Sequence, residues 1–184
     1  LSKEKSHSQQ LEDRVWMLLY RMQFAELSGE RGARVQTDPK KSPQVKTQID
    51  ALGIDEEIVL AIECKSAQTY SKRPTFHEEL GKLALVRDPV ARSAALQCPS
   101  PRKRQTVLAF FLRNIESSER DRERARQNSV LLFTDDDLDY YEKLTSHLGP
   151  AAKYQFLADM LPGKTISGLE IRVPAVKTQI GKSL

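Results

Sequence analysis

The chain has 184 residues, 39% of them hydrophobic and 29% charged, which suits one globular domain and is too short for two full-sized ones. These fractions are ordinary for a folded protein, so the composition excludes wholesale disorder. No apolar run approaches the roughly 20 residues of a membrane-spanning helix, and two cysteines cannot form a disulfide framework. We therefore expect a cytoplasmic protein with no membrane partner, whose net charge of +4 permits a phosphate-bearing partner.

The first half of the chain predicts one helix followed by three strands. Apolar residues spaced by three and four predict a helix over Gln10–Leu27, with Ser8 as its cap. Strand candidates follow at Ala33–Thr37, Thr47–Gly53 and Glu57–Lys65, and the last two have the spacing of a hairpin. Because the third candidate is apolar on both faces, we expect it at the centre of a covered sheet.

The second half continues this alternation of helices and strands. In chain order we predict a helix over Thr75–Val86, a strand over Gln105–Leu112, a helix over Glu119–Gln127, a strand over Val130–Thr134, a helix over Asp135–Leu148 and a short helix over Ala151–Met160. The resulting order is α-βββ-α-β-α-β. It predicts an α/β fold with a central mixed β-sheet flanked by helices.

The end of the third predicted strand carries the residues most suggestive of chemistry. Side chains alternate along a strand, so Glu63 and Lys65 face one side and Cys64 faces the other, toward the core. A charge at the edge of an apolar core needs compensation, either from a Glu63–Lys65 ion pair or from a metal ion. Pairing with the preceding strand can bring Asp50 beside Glu63, and two adjacent carboxylates repel unless a cation lies between them. Such oxygen ligands suit Mg²⁺.

Asp50, followed on the next strand by Glu63–Lys65 (sequence ECK), resembles the PD-(D/E)xK motif of the restriction-endonuclease-like superfamily. Ile49 stands where the motif has proline, a position that varies widely in the superfamily. The order of elements is similar to a restriction-endonuclease-like core, and Glu12 in the first helix resembles an early helical Glu of the Mrr-like branch. The resemblance covers roughly residues 8–148.

This resemblance implies a divalent-metal-dependent endonuclease that hydrolyses DNA phosphodiester bonds in bacterial restriction or DNA-modification defence. Lys65 would orient the attacking water or offset charge on the phosphate, and Gln48 would help to position that water. Double-stranded DNA is the implied partner, and a homodimer would supply the two sites that a double-strand break commonly requires. The implied ligands of Mg²⁺ or Mn²⁺ are Asp50, Glu63, the backbone carbonyl of Cys64 and Glu12.

A second region extends the resemblance to domain organisation. The segment Ile171–Lys177 is similar to the opening of the DGQHR-type domains of bacterial DNA-modification and defence proteins. We therefore expect a nuclease domain at residues 8–165 and the start of a further domain, or a linker, at residues 166–184. On this interpretation the chain is part of a longer polypeptide.

Basic residues near the motif and before the fourth strand are candidates for contacts with DNA phosphates. These residues are Lys40, Lys41, Lys46, Lys72, Arg73, Arg102, Lys103 and Arg104. Three alternatives stay open: a purely structural ion pair at the strand end, a catalytically silent DNA-binding or regulatory module of the same fold, and a nuclease that acts on RNA.

One further acidic run could imitate a metal site. Asp135–Asp137 opens a predicted helix, where carboxylates cap the helix and interact favourably with its dipole. We therefore predict capping at this run rather than metal binding.

Overall fold

The structure is a computed structural model that describes residues 5–29, 32–36, 47–72 and 75–161, together with the backbone of residues 165–166 and 171–172. The predicted second region, 166–184, therefore falls almost wholly outside the described residues. Within the described residues, every helix is too short or too polar to cross a lipid bilayer.

The described residues form six α-helices and nine strands. The helices are α1 (His7–Arg21), α2 (His77–Leu85), α3 (Arg87–Gln97), α4 (Glu119–Gln127), α5 (Asp135–Leu148) and α6 (Ala152–Met160), with a 3-10 turn at Gly149–Ala151. The strands are β1 (Glu26–Leu27), β2 (Ala33–Val35), β3 (Thr47–Ile49), β4 (Ala51–Ile54), β5 (Ile58–Lys72), β6 (Gln105–Glu116), β7 (Val130–Phe133), β8 (Thr165–Ile166) and β9 (Ile171–Arg172).

Five of the described strands form the central sheet, in the order β1-β4-β5-β6-β7. Strand β4 is antiparallel to both β1 and β5, whereas β5, β6 and β7 run parallel. Two smaller pairs, β2-β3 and β8-β9, lie outside this sheet. The α2–α3 segment connects β5 to β6 and α4 connects β6 to β7, as parallel strands require a crossover.

Helices cover both faces of the sheet, and β5 contributes apolar side chains to each of the two resulting cores. Ile58, Leu60 and Ile62 pack in the cluster that includes residues of α1, α5 and α6. Val59 and Ala61 pack in the cluster that includes residues of α2, α3 and α4. All five side chains are at most 1% exposed, and burying each larger one contributes about 1.5–3 kcal/mol. The predicted α/β fold, with a central mixed sheet flanked by helices, is confirmed.

The first helix ends earlier than its apolar pattern predicts. It stops at Arg21, because Gln23 adopts a left-handed conformation with φ 55° and Glu26–Leu27 extend to pair with β4. Its cap is Ser6 rather than the predicted Ser8, and the Ser6 side chain accepts a hydrogen bond from the backbone of Gln9. The apolar spacing of three and four residues continues past Arg21 into a segment that pairing with the sheet holds extended.

The predicted strand over Thr47–Gly53 is two strands, separated by a bend at Asp50. Ile49 is buried in the α2–α4 cluster and Ala51 in the α1 cluster. Residues two apart on one regular strand would share a face, so the chain must turn between them. The single continuous strand predicted over Thr47–Gly53 is therefore wrong at Asp50.

Helix α3 was absent from the sequence prediction, which ended the preceding helix before Pro89. Pro89 instead lies in the first turn of α3, where the missing N–H removes no intrahelical hydrogen bond. Val90 and Ala94 bury the inner face of this helix against the sheet. Proline thus marks the start of a second helix here.

Candidate active site

The register of the β4–β5 hairpin brings Asp50 close to Glu63. Ala51 and Ile62 are the last paired positions, so Asp50 and Glu63 are the next residue beyond each of them, and the charge of Asp50 acts on Glu63. The carboxylate of Asp50 accepts a 2.8 Å hydrogen bond from the backbone N–H of Cys64. The bend at Asp50 therefore ends with its carboxylate held against the segment that carries Glu63 and Lys65.

Glu63 and Lys65 lie on one face of β5 and contact each other directly. The ammonium of Lys65 is 3.2 Å from a carboxylate oxygen of Glu63, and the two side chains are 35% and 23% exposed, respectively. Cys64 between them is buried in the opposite core, where burial raises the pKa of its thiol. The structure thus separates a buried thiol from an amine and a carboxylate that solvent can reach.

Burial and mutual repulsion make protons bind more tightly to the acids of this site. Burial, followed by the charge of Asp50, raises the pKa of Glu63 to about 7. Burial also raises the pKa of Asp50, against the opposing effects of the Cys64 N–H and Lys65. The two carboxylates therefore outnumber the single ammonium beside them, and a cation placed here would relieve their repulsion.

Glu12 lies near this pair but does not join it in a tight cluster. Burial and the charge of Asp50 raise the pKa of Glu12, which places the two side chains within electrostatic reach. Among the described residues, however, no group of three acidic, histidine or cysteine side chains is close enough to share a metal ion. The start of α1 is fixed over β5 by a 2.7 Å contact between His7 Nδ1 and Ser66 Oγ.

The donor chemistry of the pair fits a hard divalent cation. Asp50 and Glu63 supply carboxylate oxygens, and Mg²⁺ is commonly held by one or two carboxylates with water completing its shell. Burial is the first cause of the raised pKa of both groups, and the charge of Asp50 adds to it at Glu63. The carbonyl of Cys64 and the carboxylate of Glu12 as additional ligands stay predictions.

A cleft of about 340 Å³ opens beside Glu63 and Lys65. Gln48 lines the same cleft from β3, so the structure brings this predicted residue to the motif. Helix α2 forms another wall, which the sequence reasoning missed: Glu78, Glu79 and Lys82 line it. Their helical spacing, with Leu80 and Leu83 buried instead, was the signal that could have identified this polar face.

A buried carboxylate holds the start of α2 in place. Asp121 of α4 is fully buried and accepts a 2.9 Å hydrogen bond from the backbone N–H of Phe76, directly before α2. Phe76 packs edge-on against Phe110 of the sheet, with ring centroids 5.3 Å apart. The polar wall of the cleft is therefore fixed to both α4 and the sheet.

Gly32 makes a close approach to the backbone of the candidate acid. It has a φ of +70°, and a Cβ built there would lie 2.0 Å from the carbonyl oxygen of Ile49 and 2.7 Å from that of Asp50. Only glycine fits this contact without displacing the chain. Gly32 thus supports the position of the bend, a role that the sequence analysis did not identify.

Among the described residues, none of the predicted basic residues lines the cleft. Arg102, Lys103 and Arg104 precede Gln105, which pairs with Ile58, at the start of the parallel strands. Glu63 lies five residues farther along β5, or roughly 17 Å at the usual rise of a strand. Lys72, at the far end of β5, pairs with Glu116 at 3.3 Å. The remaining predicted basic residues, Lys40, Lys41, Lys46 and Arg73, lie outside the described residues.

The acidic run at the start of α5 is used for helix capping, as predicted. Thr134 and Asp137 form a capping box, with each side chain bonded to the other residue's backbone N–H. Asp135 accepts a 2.7 Å hydrogen bond from the backbone of Asn114, whose φ of 57° lies in the left-handed region. Two of the three carboxylates therefore have backbone donors as partners.

Several solved structures are similar to this chain, including a Vibrio cholerae protein and a Can2 protein. No family model matches the chain, and no curated protein matches it. A Vibrio cholerae protein, VC1899, is similar with a TM-score of 0.48 and 16% identity over 77% of this chain and 33% of that one. Can2 from Sulfobacillus thermosulfidooxidans, solved in complex with cyclic tetra-adenylate, has a TM-score of 0.44 and 16% identity over 73% of this chain and 34% of that one. The chain spans about a third of each neighbour's length.

Proposed function

We propose that this chain is a divalent-metal-dependent endonuclease that hydrolyses phosphodiester bonds of double-stranded DNA, in a bacterial restriction or DNA-modification defence context. The observation that carries the proposal is that the Asp50 carboxylate is hydrogen-bonded to the backbone N–H of Cys64, between Glu63 and Lys65, which contact each other and line a cleft. Two repelling, partly desolvated carboxylates are costly unless a cation offsets them. In a metal-dependent phosphodiesterase, such a pair of carboxylates would bind the metal ion.

In this proposal Asp50 and Glu63 hold Mg²⁺ or Mn²⁺ at the mouth of the cleft. A bound ion would polarise the phosphate and lower the pKa of a coordinated water. Lys65 donates hydrogen bonds to the water or to a phosphate oxygen, which requires its ammonium to leave the 3.2 Å contact with Glu63. Gln48, which is exposed in the cleft, positions the water through its amide.

The α2 wall gives the cleft a mixed charge that a polyanion must accommodate. The Lys82 side chain is 73% exposed, and its ion pair with Glu78 is long, at 3.7 Å. A phosphate can therefore compete with Glu78 for the ammonium of Lys82. Glu78 and Glu79 line the cleft beside it and repel a phosphate chain. We therefore expect DNA to enter with its scissile phosphate toward Lys65 and Lys82, and its affinity to fall steeply with salt.

Cleavage of supercoiled plasmid tests the proposal. Wild-type protein with Mg²⁺ or Mn²⁺ is compared with Glu63→Gln and Lys65→Ala, and the conversion to nicked and linear forms is followed over time. Removing either group should slow cleavage by about 100-fold or more, as for other groups that stabilise a transition state electrostatically. Exposed residues of like charge, Glu56→Gln and Lys143→Ala, are the matched controls. Equal cleavage by all five proteins would reject the assignment.

A second candidate function is a catalytically silent module that binds DNA through the same fold. The direct Glu63–Lys65 ion pair favours it, because each charge already has a partner. This function predicts binding of a labelled duplex, measured by fluorescence anisotropy, that weakens with salt and is unchanged in Asp50→Asn. It also predicts no conversion of plasmid in Mg²⁺ or Mn²⁺. Competition between duplex DNA and duplex RNA distinguishes a nuclease that prefers RNA.

A further inference from the structure

A second and larger pocket lies at the opposite end of the parallel strands, between α3 and the loop that leads into β6. Its volume is about 510 Å³. Val59 and Thr106, a pair in the β5–β6 ladder, lie at its sheet side. Val59 precedes Glu63 by four residues on β5, a distance of roughly 13 Å along the strand. This α3 pocket is therefore separate from the cleft described above.

The rim of the α3 pocket is strongly basic. None of the described residues that line it is acidic, whereas four of them are cationic: Arg92, Arg102, Lys103 and Arg104. Glu57, which is outside the lining, lies 3.5 Å from Arg102. Because like charges are costly to place together, this concentration of cations favours an anionic ligand.

The loop that carries Arg102, Lys103 and Arg104 is held in place by hydrogen bonds to backbone carbonyls. The guanidinium of Arg104 donates a 2.7 Å hydrogen bond to the carbonyl of Asp55 and another to the carbonyl of Cys98. The backbone N–H of Gln105 donates to the carbonyl of Glu57 at 2.7 Å. The loop is thus anchored at its junction with β6, which lowers the entropic cost of ordering it around a ligand.

Small apolar side chains also line the pocket. Ala91 and Ala95 contribute methyl groups from α3, while Pro99 and Pro101 contribute rings from the loop. Proline rings and methyl groups offer apolar contact to a flat group without donating hydrogen bonds to it. The volume also lies in the range of pockets that take small ligands, about 300–1,000 Å³.

We propose that the α3 pocket binds a nucleoside phosphate, with the phosphate at Arg92 and Lys103 and the base against the alanine and proline surface. Two sources can supply this chemistry, a free nucleotide or one nucleotide unit of a polynucleotide. The proposal is independent of catalysis at the cleft.

Isothermal titration of the full chain with adenosine 5′-monophosphate tests the proposal. We expect adenosine 5′-monophosphate to bind saturably. Adenosine and inorganic phosphate should each bind more weakly, since each supplies only half of the contacts. The double variant Arg92→Glu/Lys103→Glu should weaken binding by about 100-fold, because each lost charged contact is worth about tenfold or more. Lys143→Glu, on an exposed position of α5, should bind as the wild type does.

A second variant keeps every charge and blocks the space. Ala95→Trp places an indole in the pocket from an exposed helical position and should also abolish binding. Glu63→Gln should leave nucleotide affinity unchanged, which separates this site from the cleft. Competition by a single-stranded oligonucleotide identifies the polynucleotide source, and its absence identifies the free nucleotide. Absence of binding to the wild type, or equal affinity in Ala95→Trp, would overturn the proposal.

Discussion

The backbone N–H of Cys64, the residue after Glu63, donates a 2.8 Å hydrogen bond to the carboxylate of Asp50. This bond fixes one acid beside the other, so the charge of Asp50 acts directly on the proton affinity of Glu63. The backbone N–H of Cys64 could donate equally well to the amide oxygen of an asparagine side chain. Asp50→Asn therefore removes the charge while keeping the contact.

We expect Asp50→Asn to lower the pKa of Glu63 from about 7 toward the ordinary value for glutamate, since the charge of Asp50 is the second cause of its elevation after burial. The carboxyl carbon resonance of Glu63, followed by NMR through a pH titration in metal-free buffer, measures this change. Asp88→Asn, an exposed acid of α3, is the control and should leave the titration in place. An unchanged midpoint in Asp50→Asn would contradict the repulsion described here.

The pH dependence of stability should carry the signature of Glu63. Its pKa is about 7 in the folded chain and 4.5 in an ordinary glutamate, so the folded state binds the proton more tightly. The resulting stabilisation is full below pH 4.5 and is lost as pH rises through about 7. Its size is on the order of 2–3 kcal/mol.

Urea unfolding of the wild type and Glu63→Gln between pH 4.5 and 8 measures this contribution. The wild type should lose free energy of unfolding over that interval, whereas the variant, which cannot ionise there, should lose less. Glu56→Gln should follow the wild type. If the free energy of unfolding changed with pH in parallel for all three proteins, Glu63 would make no such contribution to stability.

Divalent cations should raise the melting temperature of the metal-free protein. If Asp50 and Glu63 hold Mg²⁺, a concentration 100 times the Kd adds about 2.7 kcal/mol to the free energy of unfolding. The effect should be larger at pH 8 than at pH 6, because the ion competes with the proton on Glu63. Differential scanning calorimetry measures it, and an equal shift in Asp50→Asn/Glu63→Gln would place the ion elsewhere.

Gly32→Ala should destabilise the chain and displace the bend at Asp50. A Cβ at this position meets the carbonyl oxygen of Ile49 at 2.0 Å, and the φ of +70° is itself unfavourable for alanine. We expect a loss of about 2–4 kcal/mol in urea unfolding, from strain and from movement of β3. Gly81→Ala is the matched control: with nothing within 4 Å of its Cβ, it should stabilise α2 by about 0.5–1 kcal/mol. Similar results for both glycines would contradict the close approach.

Periodicity identified the long elements of this fold because their burial is uniform. Helices Glu119–Gln127 and Asp135–Leu148 have the predicted bounds, and the apolar run after Ile58 is the central strand. The alternation of Glu63, Cys64 and Lys65 between the two faces follows from strand geometry alone. Local pattern was sufficient wherever one element faces one core.

Features that depend on contacts between distant segments were not visible in the sequence. The bend at Asp50 arises because its neighbours Ile49 and Ala51 belong to opposite cores. The start of the α2 wall is held by Asp121, far along the chain, which accepts a hydrogen bond from Phe76. Likewise, Arg102, Lys103 and Arg104 lead into β6, which pairs with β5, but they lie at the end of β5 away from Glu63 and Lys65. Only the register between the two strands shows this separation.

The two acids that define the candidate site are thirteen positions apart on a single hairpin, whereas β5 also pairs with β6, more than forty residues farther along the chain. Contacts of short sequence separation close at a smaller entropic cost than distant ones. We therefore expect the carboxylate pair to assemble before β6 and β7 dock and the cleft closes around it. Folding would thus bring two like charges together first and bury them only afterwards, and cations present during refolding should accelerate that second stage.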